Sequence, residues 1–212
     1  MGKKGIIFDM DGTLWDSAAE VAASWTEVVQ EKHDKDRVIT EEDLQRVMGK
    51  TMDKLAEALF PELEEKERME LLDVCCKAEN DYLRKHGGKL YPDLEDTLKV
   101  LCDKYELFIV SNCQSGYIEA FLEYYGFEKY FKDIECYGNN ELSKGKNIAN
   151  VVERNHLTHA VYVGDIQGDY DSSMEAGVKF ILAGYGFGKV DANVPVINSL
   201  KELPKIAEEI LN

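Results

Sequence analysis

What most constrains the fold of this chain is the spacing of its short apolar runs. Runs of four or five residues rich in Ile, Val, Phe and Tyr recur at 5–8, 107–110, 160–163 and 179–183, with weaker ones at 133–137 and 194–197. Each is too short for a helix and is closed by a polar or glycine-bearing turn, which is how buried strands read. Between them lie stretches with apolar residues at helical spacing, at 94–104, 116–125, 146–155, 170–175 and 200–211. A strand, a helix and a second strand in succession form a crossover, and the second strand then runs parallel to the first. Strands apolar on both sides need helices on both faces. The expectation is an α/β protein with a doubly wound, Rossmann-like parallel sheet.

One long segment breaks the alternation. From Ser17 to His86 no convincing strand appears, and helices are expected at 18–31, 40–47, 52–59 and 64–84. Thr40 with Asp43, preceded by the apolar Ile39, has the form of a capping box with its hydrophobic staple. Gly87 and Gly88 supply a stop after the last helix. The chain is thus expected to divide into a core, 1–15 and 88–212, and a helical domain, 16–87, inserted just after the first strand. The charged stretch 62–70 is the solvated face of a helix.

Charge narrows the partners. The chain carries 41 acids against 25 bases, a formal net charge of -16. Such a surface repels nucleic acid and anionic lipid, so neither is an expected partner, and an anionic substrate must be met by a local cation. The five cysteines, Cys75, Cys76, Cys102, Cys113 and Cys136, show no CxxC spacing. That argues against a disulfide framework or a zinc site, and for reduced thiols in a cytoplasmic protein. Ile6 to Phe8 is too short for the apolar core of a signal peptide, and no stretch approaches the roughly 20 apolar residues of a membrane span.

In an open parallel sheet, ligands bind beyond the carboxyl ends of the strands. The first strand ends in Asp9-Met10-Asp11-Gly12-Thr13. Residues two apart in extended chain point the same way, so Asp9 and Asp11 can project into one site. Neighbouring carboxylates repel unless a cation joins them or one holds a proton. A polar turn with a helix cap would read the same way. The second strand ends in Ser111 and Asn112, where a hydroxyl and backbone N–H groups at a helix start can hold an anion, or simply cap the helix. Lys144 and Lys146 open a later helix, a position that opposes the helix dipole and so points to an anionic partner. The strand at 160–163 runs into Gly164-Asp165-Ile166-Gln167-Gly168-Asp169, and its two carboxylates are hard ligands of the kind Mg²⁺ takes.

In this order the four stretches, DMDGTL, VSN, a helix-opening lysine and VGDIQGD, resemble the four motifs of the haloacid dehalogenase (HAD) superfamily. The inserted helices resemble that superfamily's C1 cap. DGTLWDSA, LYPDLEDTLKVL and GDIQGDYDSSMEAG are most similar to the branch of phosphoglycolate phosphatase and β-phosphoglucomutase. The resemblance implies a Mg²⁺-dependent phosphatase acting on a small phosphorylated metabolite, as a monomer or homodimer. It implies Asp9 as nucleophile, forming an aspartyl phosphate, and Asp11 as the acid and base. Ser111 and Asn112, with the backbone at Met10 and Asp11, are implied to hold the phosphoryl oxygens. SKGKNI, with its helix-opening Lys-x-x-Asn, selects Lys144 as the cation that neutralises Asp9 and the phosphoryl group. Asp9, Asp11 through its carbonyl, Asp165 and Asp169 are implied as the metal set. Gly49, Lys50 and Thr51 fall in the cap loop that faces the site in this branch, with Lys50 placed to meet a distal anionic group. Ile166, where the branch usually has Thr, and Asp93, where Gly commonly follows the proline, depart from its pattern.

A sugar-phosphate phosphomutase would share these motifs, and a phospho-acceptor module would share the acids, the lysine and the doubly wound sheet. The acceptor would lack the inserted helices and the DxDGT sequence. A dehalogenase needs no acid for its leaving group, and Asp11 argues against one. Trp15, Trp25 and Tyr185 are candidates for the cleft or the core, the 184–188 loop for its border, and Cys113 for a small buried apolar group.

Overall fold

In a computed structural model describing residues 2–212, the first half of the chain runs β1 (Lys3–Phe8), β2 (Trp15–Asp16), α1 (Ala18–Lys32), α2 (Glu41–Gln45), α3 (Met52–Leu59), α4 (Glu65–His86), β3 (Lys89–Leu90) and α5 (Leu94–Cys102). The second half runs β4 (Glu106–Ser111), α6 (Tyr117–Tyr125), β5 (Phe131–Cys136), α7 (Tyr137–Asn140), α8 (Lys144–Arg154), β6 (Leu157–Gly164), α9 (Gln167–Glu175), β7 (Lys179–Ala183), β8 (Val196–Ile197) and α10 (Leu203–Leu211).

The main sheet has six strands in the order β5-β4-β1-β6-β7-β8, and every pairing is parallel. β1 sits at the centre, hydrogen-bonded to β4 on one side and β6 on the other. The winding reverses about β1, so its carboxyl end opens at the topological switch point where doubly wound sheets bind ligands. Successive residues of β1 alternate between two cores. Ile6 and Phe8 join the large cluster shared with Leu98 of α5, Leu203 of α10 and the inserted helices, while Ile7 faces Ile148 and Val151 of α8. All three β1 side chains are wholly buried, each contributing roughly 1.5–3 kcal/mol. This double-sided burial is why the run reads as continuously apolar.

Between β1 and β3 the described chain is helical except for β2. α1 packs along α4, and α4 packs on α6 of the sheet layer. Thr40 Oγ1 accepts the N–H of Asp43 at 3.1 Å while Asp43 Oδ2 accepts the N–H of Thr40 at 3.1 Å, and Ile39 and Leu44 are buried beside this cap. The antiparallel pair β2–β3 joins the ends of the helical segment. Two-residue strands have no periodicity to read, so this pair was outside sequence reach. Two helices begin earlier than the pattern suggests, at Lys144 and at Gln167 instead of 146 and 170. In both cases the first turn is polar, and a polar turn breaks the apolar spacing. Among the described residues, no helix is long and apolar enough to cross a membrane.

Candidate active site

Asp9 follows β1 directly, and its N–H still donates to Val163 O of β6 at 2.9 Å, so its backbone is held by the sheet. Its carboxylate is buried, and Lys144 Nζ donates to Asp9 Oδ1 at 2.9 Å and to Asp169 Oδ1 at 2.6 Å. Lys144 is itself buried at the first turn of α8, whereas Lys146 is exposed. Ser143 caps this helix, its Oγ accepting the N–H of Lys146 at 3.3 Å. Two buried acids thus offset the unfavourable placement of a lysine at a helix start. Tyr162 lies beneath, its ring centroid 5.9 Å from Nζ.

Asp165 directly follows β6, and Asp169 lies in the first turn of α9. Asp169 Oδ2 accepts the N–H groups of Asp165 at 3.0 Å and Ile166 at 3.1 Å, which fixes both the turn and the carboxylate. Asp165 Oδ2 accepts the N–H of Phe187 at 2.7 Å, so the glycine-rich 184–188 loop borders the site through its backbone. Gly12, at φ +82°, passes so close to Asp165 that a Cβ there would lie 2.2 Å from Asp165 Oδ2. Only glycine satisfies both the turn and this approach.

Asp11 is half-buried and, among the described residues, makes no ion pair with Lys144. Ser17 Oγ donates to Asp11 Oδ1 at 2.9 Å and Tyr117 OH donates to the same oxygen at 2.6 Å, with the two hydroxyls 2.6 Å apart. The Tyr117 hydroxyl carries no mark in the sequence pattern, because it meets Asp11 across 106 positions.

Ser111 is buried at the end of β4, and Asn112 Nδ2 donates to Gly49 O at 2.9 Å, tying the loop after β4 to the helical segment. Beyond Asp11, Ser111 and Asn112 lies a cavity of about 50 Å³. Gly49 and Lys50 line it, while Thr51 lies at the start of α3 beside Asp53. Ile166 packs under Gly49, where a Cβ would lie 2.5 Å from Ile166 Cδ1. Trp25 and Glu79 line the cavity from α1 and α4, with Trp25 Nε1 donating to Glu79 Oε2 at 2.5 Å. Trp15 belongs to the core, against Tyr117 and Phe121. Tyr185 is half-buried, donating to Thr13 O at 2.9 Å.

Burial dominates the electrostatics. It pushes Asp9 up to about 7, helped by Asp169 and opposed by Lys144. Burial, Asp169 and Asp9 raise Asp165 to about 8. Burial lifts Asp11 to about 6 against its hydrogen bonds from Tyr117 and Ser17. For Lys144, burial works against the charge, but Asp169 and Asp9 outweigh it and hold the ammonium firmly protonated. Of the four carboxylates, Asp9 and Asp169 pair directly with the one lysine. Asp9, Asp165 and Asp169 each offer an oxygen within 4.8 Å of the other two, and the buried Asp165 Oδ1 has no hydrogen-bond partner among the described residues. An all-oxygen, anionic set with an unsatisfied donor atom fits a hard divalent cation such as Mg²⁺.

Residues 6–183 match the sequence pattern described as haloacid dehalogenase-like hydrolase. The chain is 27% identical over 198 residues to phosphoglycolate phosphatase of Aquifex aeolicus, covering 90% of this chain and 89% of that one. It is 28% identical over 226 residues to phosphoglycolate phosphatase of Vibrio parahaemolyticus, covering 96% and 95%. Among solved structures, a "predicted phosphatase" of Clostridium acetobutylicum superposes with a TM-score of 0.78 at 23% identity, covering 99% of this chain and all of that one.

Proposed function

Since the chain belongs to the haloacid dehalogenase-like hydrolases, we propose that it is a Mg²⁺-dependent phosphatase of small phosphate monoesters that works through an aspartyl phosphate on Asp9. The observation that carries this is the convergence of Asp9, Lys144, Asp165 and Asp169 at the carboxyl edge of β1 and β6. The names of the curated relatives point to the same reaction class.

An Asp9 oxygen attacks phosphorus in line, forming an O–P bond as the ester P–O bond breaks. Asp11 gives its proton to the departing alkoxide oxygen, then takes one from the water that attacks phosphorus on the opposite step. The Asp9–phosphorus bond breaks, and Asp9 returns as a carboxylate with inorganic phosphate released. Because Ser17 and Tyr117 both donate to Asp11 Oδ1, the transferable proton sits on Oδ2. Burial favours the protonated form that the first step needs. Lys144 supplies fixed positive charge to Asp9 and to the phosphoryl oxygens, and Ser111, Asn112 and the N–H groups at Met10 and Asp11 hold those oxygens. Asp9, Asp165, Asp169 and the Asp11 carbonyl would hold the metal. When bound, Mg²⁺ neutralises the acids and orients the phosphoryl group.

The helical segment 16–87 serves as a cap over the site. Gly49 and Lys50 bring its loop to the cavity, with Lys50 exposed at the rim.

The test is phosphate release from p-nitrophenyl phosphate with and without Mg²⁺, alongside Asp9→Asn. Release is expected only with Mg²⁺ and wild-type Asp9, with Asp9→Asn at least 10³-fold slower, or about 4 kcal/mol in barrier. Turnover by Asp9→Asn near the wild-type rate would exclude Asp9 as nucleophile. Isomerisation of glucose 1-phosphate without phosphate release would indicate a mutase.

A further inference from the structure

The cavity beyond Asp11 has a wall that the hydrolase mechanism does not use. Its apolar side comes from Val21, Leu44, Met48, Met52 and Leu55. Set into it is Glu79, from the middle of α4, only 4% exposed. Among the described residues Glu79 has no ion-pair partner. Its neighbours in hydrogen bonding are the indole N–H of Trp25, at 2.5 Å on Oε2, and the side-chain amide of Gln114. Gln114 is itself anchored to Asn80 Oδ1 at 3.1 Å. A carboxylate has about four acceptor positions, so two donors leave it short of partners. The nearest lysine in the lining, Lys50, is exposed at the rim, where water screens its charge.

An under-supplied acceptor in an apolar wall attracts a donor and repels another carboxylate, because charges interact strongly where water is absent. Asp11 carries the second acid of the cavity, on the side of the reacting phosphate. We propose that Glu79 makes the leaving-group pocket selective for phosphate esters of alcohols bearing a hydrogen-bond donor, an ammonium or a hydroxyl, and hostile to a carboxylated alcohol such as glycolate. This rests on the phosphatase mechanism above and sets its substrate class apart from the substrate in the names of the curated relatives.

Four esters separate the possibilities: phosphoethanolamine, glycerol 1-phosphate, propyl phosphate and 2-phosphoglycolate, each measured as kcat/KM with Mg²⁺ at about pH 8, where Glu79 is ionised. Wild type is expected to favour phosphoethanolamine and glycerol 1-phosphate over 2-phosphoglycolate by at least tenfold, with propyl phosphate between. Glu79→Gln keeps an acceptor for Trp25 but loses the charge. It is expected to slow phosphoethanolamine, quicken 2-phosphoglycolate and shrink their ratio at least tenfold. A structural role cannot change two substrates in opposite directions. The inference is overturned if 2-phosphoglycolate is the best of the four for wild type, or if Glu79→Gln slows all four equally. Should the variant fail to fold, the wild-type ranking alone decides. Hydrolysis of none of the four would remove the phosphatase mechanism itself, and this inference with it.

Discussion

Glu79→Gln is expected to stabilise the protein increasingly as pH rises from 5 to 8. In the folded chain burial pushes the Glu79 carboxyl from its ordinary 4.5 up to about 7, with Asp11 adding to the rise and the donors Gln114 and Trp25 opposing it. Below pH 4.5 both folded and unfolded chains hold the proton and the group is neutral in its effect. Between 4.5 and 7 the unfolded chain releases the proton and the folded one keeps it, so unfolding gains. Above 7 the penalty is constant. At about 1.4 kcal/mol per pH unit the full penalty is roughly 3 kcal/mol. Of this, roughly 2–3 kcal/mol develops between pH 5 and pH 8. Glutamine has no proton to lose, and its carbonyl can still accept from Trp25, so the variant escapes the penalty. The difference between the two proteins cancels the contributions of distant titrating groups. Urea unfolding at several pH values, followed by circular dichroism, measures it. In thermal melts the gap should widen on the order of 5–10 °C, given 2–4 °C per kcal/mol for a chain of this size. Parallel stability curves for wild type and variant would show that Glu79 is not a desolvated acid, and the electrostatic reasoning about the cavity would fail with them.

Two further outcomes test the rest of the site. Mg²⁺ should raise the melting temperature of wild type, by about 2.7 kcal/mol of stability at a hundred times its dissociation constant. Asp165→Asn should lose that rise, yet in EDTA be at least as stable as wild type, because it removes a buried acid that burial and its neighbours raise to about 8. A full Mg²⁺ shift in Asp165→Asn, read by differential scanning fluorimetry, would refute its place among the ligands. Tyr117→Phe removes the donor 2.6 Å from Asp11 Oδ1, and is expected to cut kcat about tenfold, or 1.4 kcal/mol, with KM within twofold. A changed KM at constant kcat would instead place Tyr117 in substrate binding.

One observation about Glu79 was in principle legible. Leu72, Cys75, Cys76, Glu79 and Leu83 are all buried on α4, and their spacing puts the glutamate on the helix's apolar stripe. An acid on such a stripe is a signal for a buried polar group, although the pattern does not say what it faces. Thr51 shows the reverse. Its place in the loop beside Gly49 and Lys50 points to the cavity, but it stands at the N-terminal cap of α3 beside Asp53 and is not part of the cavity's lining.

What the sequence determined on its own was local. The apolar runs had to become strands, since only a sheet covered on both faces buries them, and the polar residues after each run had to gather at one edge, since parallel strands all end on the same side. That is enough to nominate Asp9, Asp11, Ser111, Lys144, Asp165 and Asp169. What the tertiary structure decided was every partnership across long separations. Lys144 meets Asp9 over 135 positions, and Tyr117 meets Asp11 over 106. The order β5-β4-β1-β6-β7-β8 and the cavity closed by Glu79 are of the same kind. Periodicity records which face of an element is buried. It carries no information about which other element covers that face, and the charges that reach into the site depend on the covering element.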